Sequence, residues 1–92
     1  MNSLAHAVPG AIAELLRAAP LSPGKVTFAW NAAVGPAVQR ATSIRLEGHV
    51  LLVDASSEAW GREVSRSSPT ILRRLQSLLG SDVVKRIEVR RA

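Results

Sequence analysis

The sequence contains no cysteine, which removes disulfides, thiolate metal sites and thiol nucleophiles together and fits a reducing compartment. Aromatic residues are almost as scarce: Phe28, Trp30 and Trp60 are the only ones. Histidine is limited to His6, near the start of the chain, and His49, at the tip of an expected hairpin. Neither position offers partners that would hold an acid or base. No Gly-x-Ser-x-Gly elbow occurs, and the serines at 56, 57, 65, 67 and 68 flank expected helix ends, where capping accounts for them. Pro23-Gly24-Lys25 resembles the end of a phosphate loop, but Ala19 stands where its first glycine would be and Val26 where its Ser or Thr would be. No run approaches the roughly 20 apolar residues needed to cross a bilayer, and Met1 to Pro9 lacks the basic-then-apolar order of an export signal. These absences lead to the expectation of a cytoplasmic, non-catalytic chain without cofactor, metal, membrane or small-molecule substrate.

What is present is ordinary globular composition. Apolar residues make up 47% of the 92 positions, enough for one core built from Leu, Val, Ile and Ala, so a single domain over residues 1–92 is expected. Twelve Lys and Arg against seven Asp and Glu leave a formal charge of +5, and most of the basic residues are arginine. A polyanionic partner is compatible with that balance, as is a solvated surface.

Hydrophobic spacing divides the chain into elements. Leu4, Val8, Ile12, Leu15 and Leu16 recur at helical intervals, ending near Ala19. Ser22 followed by Pro23 opens a second helix with a capping hydroxyl and a residue that needs no N–H partner. Val26, Trp30, Ala33 and Val34 form its apolar stripe, and Gly35-Pro36 stops it before one more turn over Ala37 to Ala41. From Thr42 the period becomes two, with Ile44 and Leu46 on one side and Arg45 and Glu47 on the other. Glu47-Gly48-His49 turns the chain into the apolar run Val50 to Val53, completing a hairpin. Ser56 and Ser57 can cap a third long helical stretch. At about 100° per residue, Trp60, Val64, Ile71, Leu75 and Leu78 share one side of it, while Arg62, Arg66 and Arg73 gather on the other. Ser68-Pro69 predicts a kink or two abutting helices, Ser57 to Arg66 and Pro69 to Leu79, ended by Gly80. Val83 to Arg91 alternates again as a last strand. The result is an α+β chain of order α-α-β-β-α-α-β: a three-stranded sheet with helices mainly on one face.

Several of these segments, taken in order, resemble the DciA family of bacterial proteins that work with the replicative helicase. They are Trp30-Asn31-Ala32-Ala33-Val34-Gly35, the hairpin, Ser57-Glu58-Ala59-Trp60-Gly61-Arg62-Glu63-Val64, Leu72-Arg73-Arg74-Leu75, Leu78-Leu79-Gly80 and Arg86-Ile87-Glu88-Val89-Arg90. The resemblance covers about Val26 to Arg91. It implies a small K-homology-like domain, related also to the N-terminal domain of the initiator DnaA, that binds the hexameric DnaB-type helicase, assists its loading without hydrolysing ATP, and binds DNA. Two departures bear on the last role. Many members carry a basic tail beyond the last strand, where this sequence ends at Ala92, and the Gly-x-x-Gly loop with which K-homology domains clamp single strands is missing.

The residues expected to touch nucleic acid are Arg62, Arg66 and Arg73 on the long helix, with Lys85, Arg86, Arg90 and Arg91 on or beside the last strand. Such a set would hold phosphates without reading bases, so weak, sequence-independent binding to DNA, single-stranded by preference, is the expectation. Trp30, Gly35, Trp60 and Leu75 are assigned to structure: the tryptophans and Leu75 to the core, the glycine to a helix end. Two other readings remain open at this point. One is a general K-homology-type module for RNA or single-stranded DNA, and the other is an interaction domain with no nucleic-acid role.

Overall fold

A computed structural model describes residues 10–91, with the side chain of Arg91 left out. His6 and the first part of the expected first helix, including Leu4 and Val8, lie outside the described residues. Within them the order is α1 (Gly10–Ala18), α2 (Pro23–Val34), α3 (Pro36–Ala41), β1 (Thr42–Glu47), β2 (Val50–Ala55), α4 (Glu58–Leu79) and β3 (Arg86–Arg91). The protein is a small α+β structure with a mixed three-stranded sheet of order β1-β2-β3.

Local chemistry accounts for the boundaries. Ser22 has extended backbone and its Oγ accepts the Lys25 N–H at 3.1 Å, while Pro23 occupies the first turn of α2. Gly35 ends α2 and begins α3 at a φ of 84°, a conformation a side chain would oppose. Its N–H donates to the Asn31 carbonyl at 3.1 Å. The hairpin joins Glu47 to Val50 through Gly48 and His49. Gly48 has a φ of 60° and no non-glycine residue among the described ones has positive φ, as a two-residue turn with glycine in its first position requires.

Ser57 caps α4 by accepting the Trp60 N–H at 3.1 Å. The helix then runs unbroken for 22 residues through Pro69, so the expected pair of abutting helices is one helix. Pro69 is exposed and removes the donor that would reach the Ser65 carbonyl, on a residue that is itself exposed. One turn away, Ser68 Oγ donates to the Val64 carbonyl at 3.0 Å. Val64 before the proline and Ile71, Leu75, Leu78 and Leu79 after it enter the same core, and that shared burial keeps the helix continuous across the missing hydrogen bond.

β2 is the central strand, antiparallel to β1 and parallel to β3. Ile44 and Leu46 of β1, Leu51 and Val53 of β2, and Ile87 and Val89 of β3 all pack into or against the core under the helices. The opposite face carries Arg45, Glu47, Asp54, Arg86, Glu88 and Arg90. Leu52, on that open face, is nevertheless only 6% exposed. It stands between Arg45 and Glu88 in the register, whose side-chain stems can lie over it. β3 begins at Arg86, later than Val83, because Val83 belongs to the preceding turn and Val84 and Lys85 link that turn to the strand. There Val84 is fully buried and its carbonyl accepts from Gln76 Nε2 at 3.1 Å.

Trp30 is 2% exposed, and its Nε1–H donates to Thr42 Oγ1 at 3.1 Å while Thr42 Oγ1 donates to the Val38 carbonyl at 2.8 Å. This chain ties α2, α3 and β1 together. Leu75 is fully buried. Trp60 departs from its expected place: it is only half-buried and does not belong to the core cluster. In the first turn of α4 the residue directed at the sheet is Gly61, where a Cβ would meet Ala55 Cβ and Val89 Cγ1 at 3.8 Å, and Trp60, one position and about 100° away on the helix, flanks that contact.

Candidate nucleic-acid interface

Arg62, Arg66 and Arg73 are all exposed on α4, on the side directly opposite Val64, Ile71 and Leu75. Arg62 Nη1 lies 3.7 Å from Glu58 Oε2, one turn back, and Arg66 pairs with Glu63. Arg73 Nη2 donates to Thr70 Oγ1 at 3.4 Å. Exposed pairs of this kind contribute about 0 to 1 kcal/mol, so a phosphate oxygen can displace the carboxylate at small cost.

Two of these arginines border a groove. Glu58, Gly61, Arg62, Ser65 and Arg66 of α4 and Val89 of β3 enclose an open space of ≈ 470 Å³. Gly61 forms its floor where α4 packs on the sheet: a Cβ there would meet Ala55 Cβ and Val89 Cγ1 at 3.8 Å. Glu58, Gly61, Ser65 and Val89 were not picked out from the sequence, because the groove exists only once α4 lies across β3.

The strand cations are arranged differently. Arg86 and Arg90 project from the open face of the sheet, away from α4. Arg86 Nη2 lies 3.8 Å from Glu88 Oε1 and Arg90 Nε 3.6 Å from Asp54 Oδ1. Arg45, on the same face, pairs with Glu47 at 2.8 Å. Three cations and three carboxylates thus offset one another there, so the helix arginines and the strand arginines do not form one continuous face; β3 lies between them. Lys85 is exposed in the turn before β3, where its backbone N–H donates to the His49 carbonyl at 2.7 Å.

A model of the DciA family, described as "Dna[CI] antecedent, DciA", matches residues 3–89. The chain belongs to the DciA family. No curated protein matches it. Membership makes this DciA chain an accessory protein of DNA replication, related to helicase loading. Among its described residues no helix is long and apolar enough to cross a membrane, and no group of three or more His, Asp or Glu comes together as a metal site.

Three further basic residues of this DciA chain serve the fold. Each donates to backbone carbonyls in the last turn of another helix, or just past it. Lys25 Nζ reaches the Ala19 carbonyl at 2.7 Å and the Arg17 carbonyl at 3.4 Å, beyond and within the end of α1. Arg17 Nη1 reaches the Ser77 carbonyl near the end of α4 at 2.6 Å, and Arg74 Nη1 reaches the Ala33 carbonyl near the end of α2 at 3.0 Å. Cations are favoured there by orphan carbonyls and by the helix dipole. Pairings between separate helices carry no signature in local spacing.

Proposed function

We propose that this protein is a non-catalytic cytoplasmic accessory of DNA replication that binds the replicative DnaB-type helicase and assists its loading. We further propose that it holds DNA weakly, single-stranded by preference, along the outer side of α4. The match to the DciA model over residues 3–89 carries the helicase part. A K-homology-like relationship agrees with the hairpin, long helix and parallel last strand. The DNA part rests on the arginine line of α4 and the groove beside it. Their guanidiniums are solvent-facing and spaced along about 16 Å of helix, a span suited to successive phosphates of one strand. Arg86 and Arg90 would contribute from the other side of β3 only where a strand wraps around that edge, with Lys85 in the turn before it; Arg91 is proposed as a contributor on its place in the sequence alone. With Trp30 buried and no loop to clamp bases, contact would be with the backbone and insensitive to sequence.

The test is a variant with Arg62, Arg66 and Arg73 all changed to Glu, assayed at one salt concentration for single-stranded DNA and, separately, for capture of the purified helicase. Loss of DNA binding with helicase binding retained is the expected result. Unchanged DNA affinity in a folded variant would remove the α4 line from the interface, and failure of the unaltered chain to capture the helicase would remove the loading role.

A further inference from the structure

The two edges of the sheet are not alike. β3 is flanked on the helix side by Arg62 and Arg66. β1 is flanked instead by an apolar hollow of ≈ 360 Å³ lined chiefly by Leu21, Pro23, Val26, Ile44 and Leu46. Leu21 is 54% exposed at its rim. The backbone of β1 is arranged to pair outward. Its two-residue turn closes on Glu47 and Val50, which makes alternate residues from Glu47 backward the ones bonded to β2. The Ser56 N–H donating to the Ala41 carbonyl at 2.8 Å keeps that alternation. The N–H and C=O groups of Ile44 and Leu46 therefore point away from β2, along the same edge as the hollow.

We propose that β1 is a self-association edge, on which a second copy of this chain adds its own β1 antiparallel to form a continuous six-stranded sheet. Charge favours a pairing near the hairpin turn. Pairing about a two-fold axis at Leu46 sets Leu46 against the partner's Leu46 and places Arg45 opposite the partner's Glu47, twice over by symmetry. Sliding the strands by two residues toward the middle of β1 would set Arg45 against the partner's Arg45, a repulsive arrangement. Within one chain Arg45 and Glu47 are 62% and 56% exposed and already pair at 2.8 Å, so exchanging that bond for its intermolecular equivalent costs little. The same register brings the two apolar hollows side by side on the helix face and covers Leu21 from each copy. An open, apolar-flanked edge is otherwise a site of uncontrolled pairing, which a closed two-fold dimer removes. The α4–β3 groove lies at the far edge and stays accessible in both copies.

Sedimentation equilibrium of the full chain, from micromolar to submillimolar concentration, reads the result. The unaltered chain is expected to approach twice its 9.8 kDa mass. Glu47→Arg and Arg45→Glu, each placing like charges opposite one another, should each weaken association by more than about tenfold. The double exchange Arg45→Glu with Glu47→Arg should restore it. Both positions are exposed, so circular dichroism is expected to be unchanged in all three. A chain that stays monomeric throughout, or a dimer that survives both single reversals, overturns the proposal. DNA affinity per chain through Arg62, Arg66 and Arg73 is measured on the same variants, so failure of either proposal is seen independently.

Discussion

Trp30 and Trp60 share a residue type and a helical apolar side but not an environment. Trp30→Ala removes a 2% exposed indole and leaves Thr42 Oγ1 without its donor, which is expected to destabilise by about 3 to 5 kcal/mol. Trp60→Ala, half-buried in the first turn of α4, should cost less than about 2 kcal/mol. Urea unfolding of the two variants, compared at equal slope, checks the order, and a larger loss at Trp60 would contradict the half-buried placement. Gly61 makes the opposite case. It sits inside α4, where glycine costs about 1 kcal/mol relative to alanine, and a Cβ there would meet its neighbours at an ordinary 3.8 Å. Gly61→Ala should therefore raise the urea midpoint by about 0.5 to 1 kcal/mol in free energy. It should also weaken DNA binding if the groove floor is used, so opposite signs in the two assays are the expected signature.

At the scale of elements, α1 stands apart. None of its residues is buried, Leu15 is 71% exposed, and only Ala13 and Leu16 lean on the core. Three cation–carbonyl bonds fasten it, two from Lys25 and one from Arg17. Lys25→Met keeps the stem and removes the charged donor, and a loss of about 1.5 to 3 kcal/mol is expected. Hydrogen exchange should show α1 amides opening well before those of β2 or α4. Equal protection of α1 and α4 in the variant would mean that apolar contact alone holds the helix. The strands, the Ser22-Pro23 start, the Gly35 stop and the arginine line of α4 were all legible in the sequence, because each depends on residues within one or two turns of each other. The rest was not, for identifiable reasons. Pro69 is a local break signal overruled by burial on both sides of it. Trp60 yields the sheet side of the first turn of α4 to Gly61, whose approach to Ala55 and Val89 is made across the sheet. Arg17, Lys25 and Arg74 find partners on other helices, and the α4–β3 groove is made by an approach across the sheet.

For the whole molecule, the α4 line sets an electrolyte dependence. Three guanidiniums on a single strand give a slope of log affinity against log salt near about −2, or about a twentyfold loss between about 50 mM and about 200 mM salt. Replacing Arg66 alone with Gln should reduce that slope by about 0.7 while leaving sequence preference unchanged. Fluorescence anisotropy titrations at several salt concentrations read both quantities, and a slope near zero would mean that phosphates are not the ligand. The helix-end bonds of Arg17, Lys25 and Arg74 belong to a different regime. They join a cation to a carbonyl dipole at hydrogen-bond distance, the last two partly buried, so the counterions that shield phosphates at long range hardly reach them. A concentrated salt wash should therefore strip bound polynucleotide from the protein while its helices stay fastened, and what elutes from the column is the intact fold, ready to rebind on dilution.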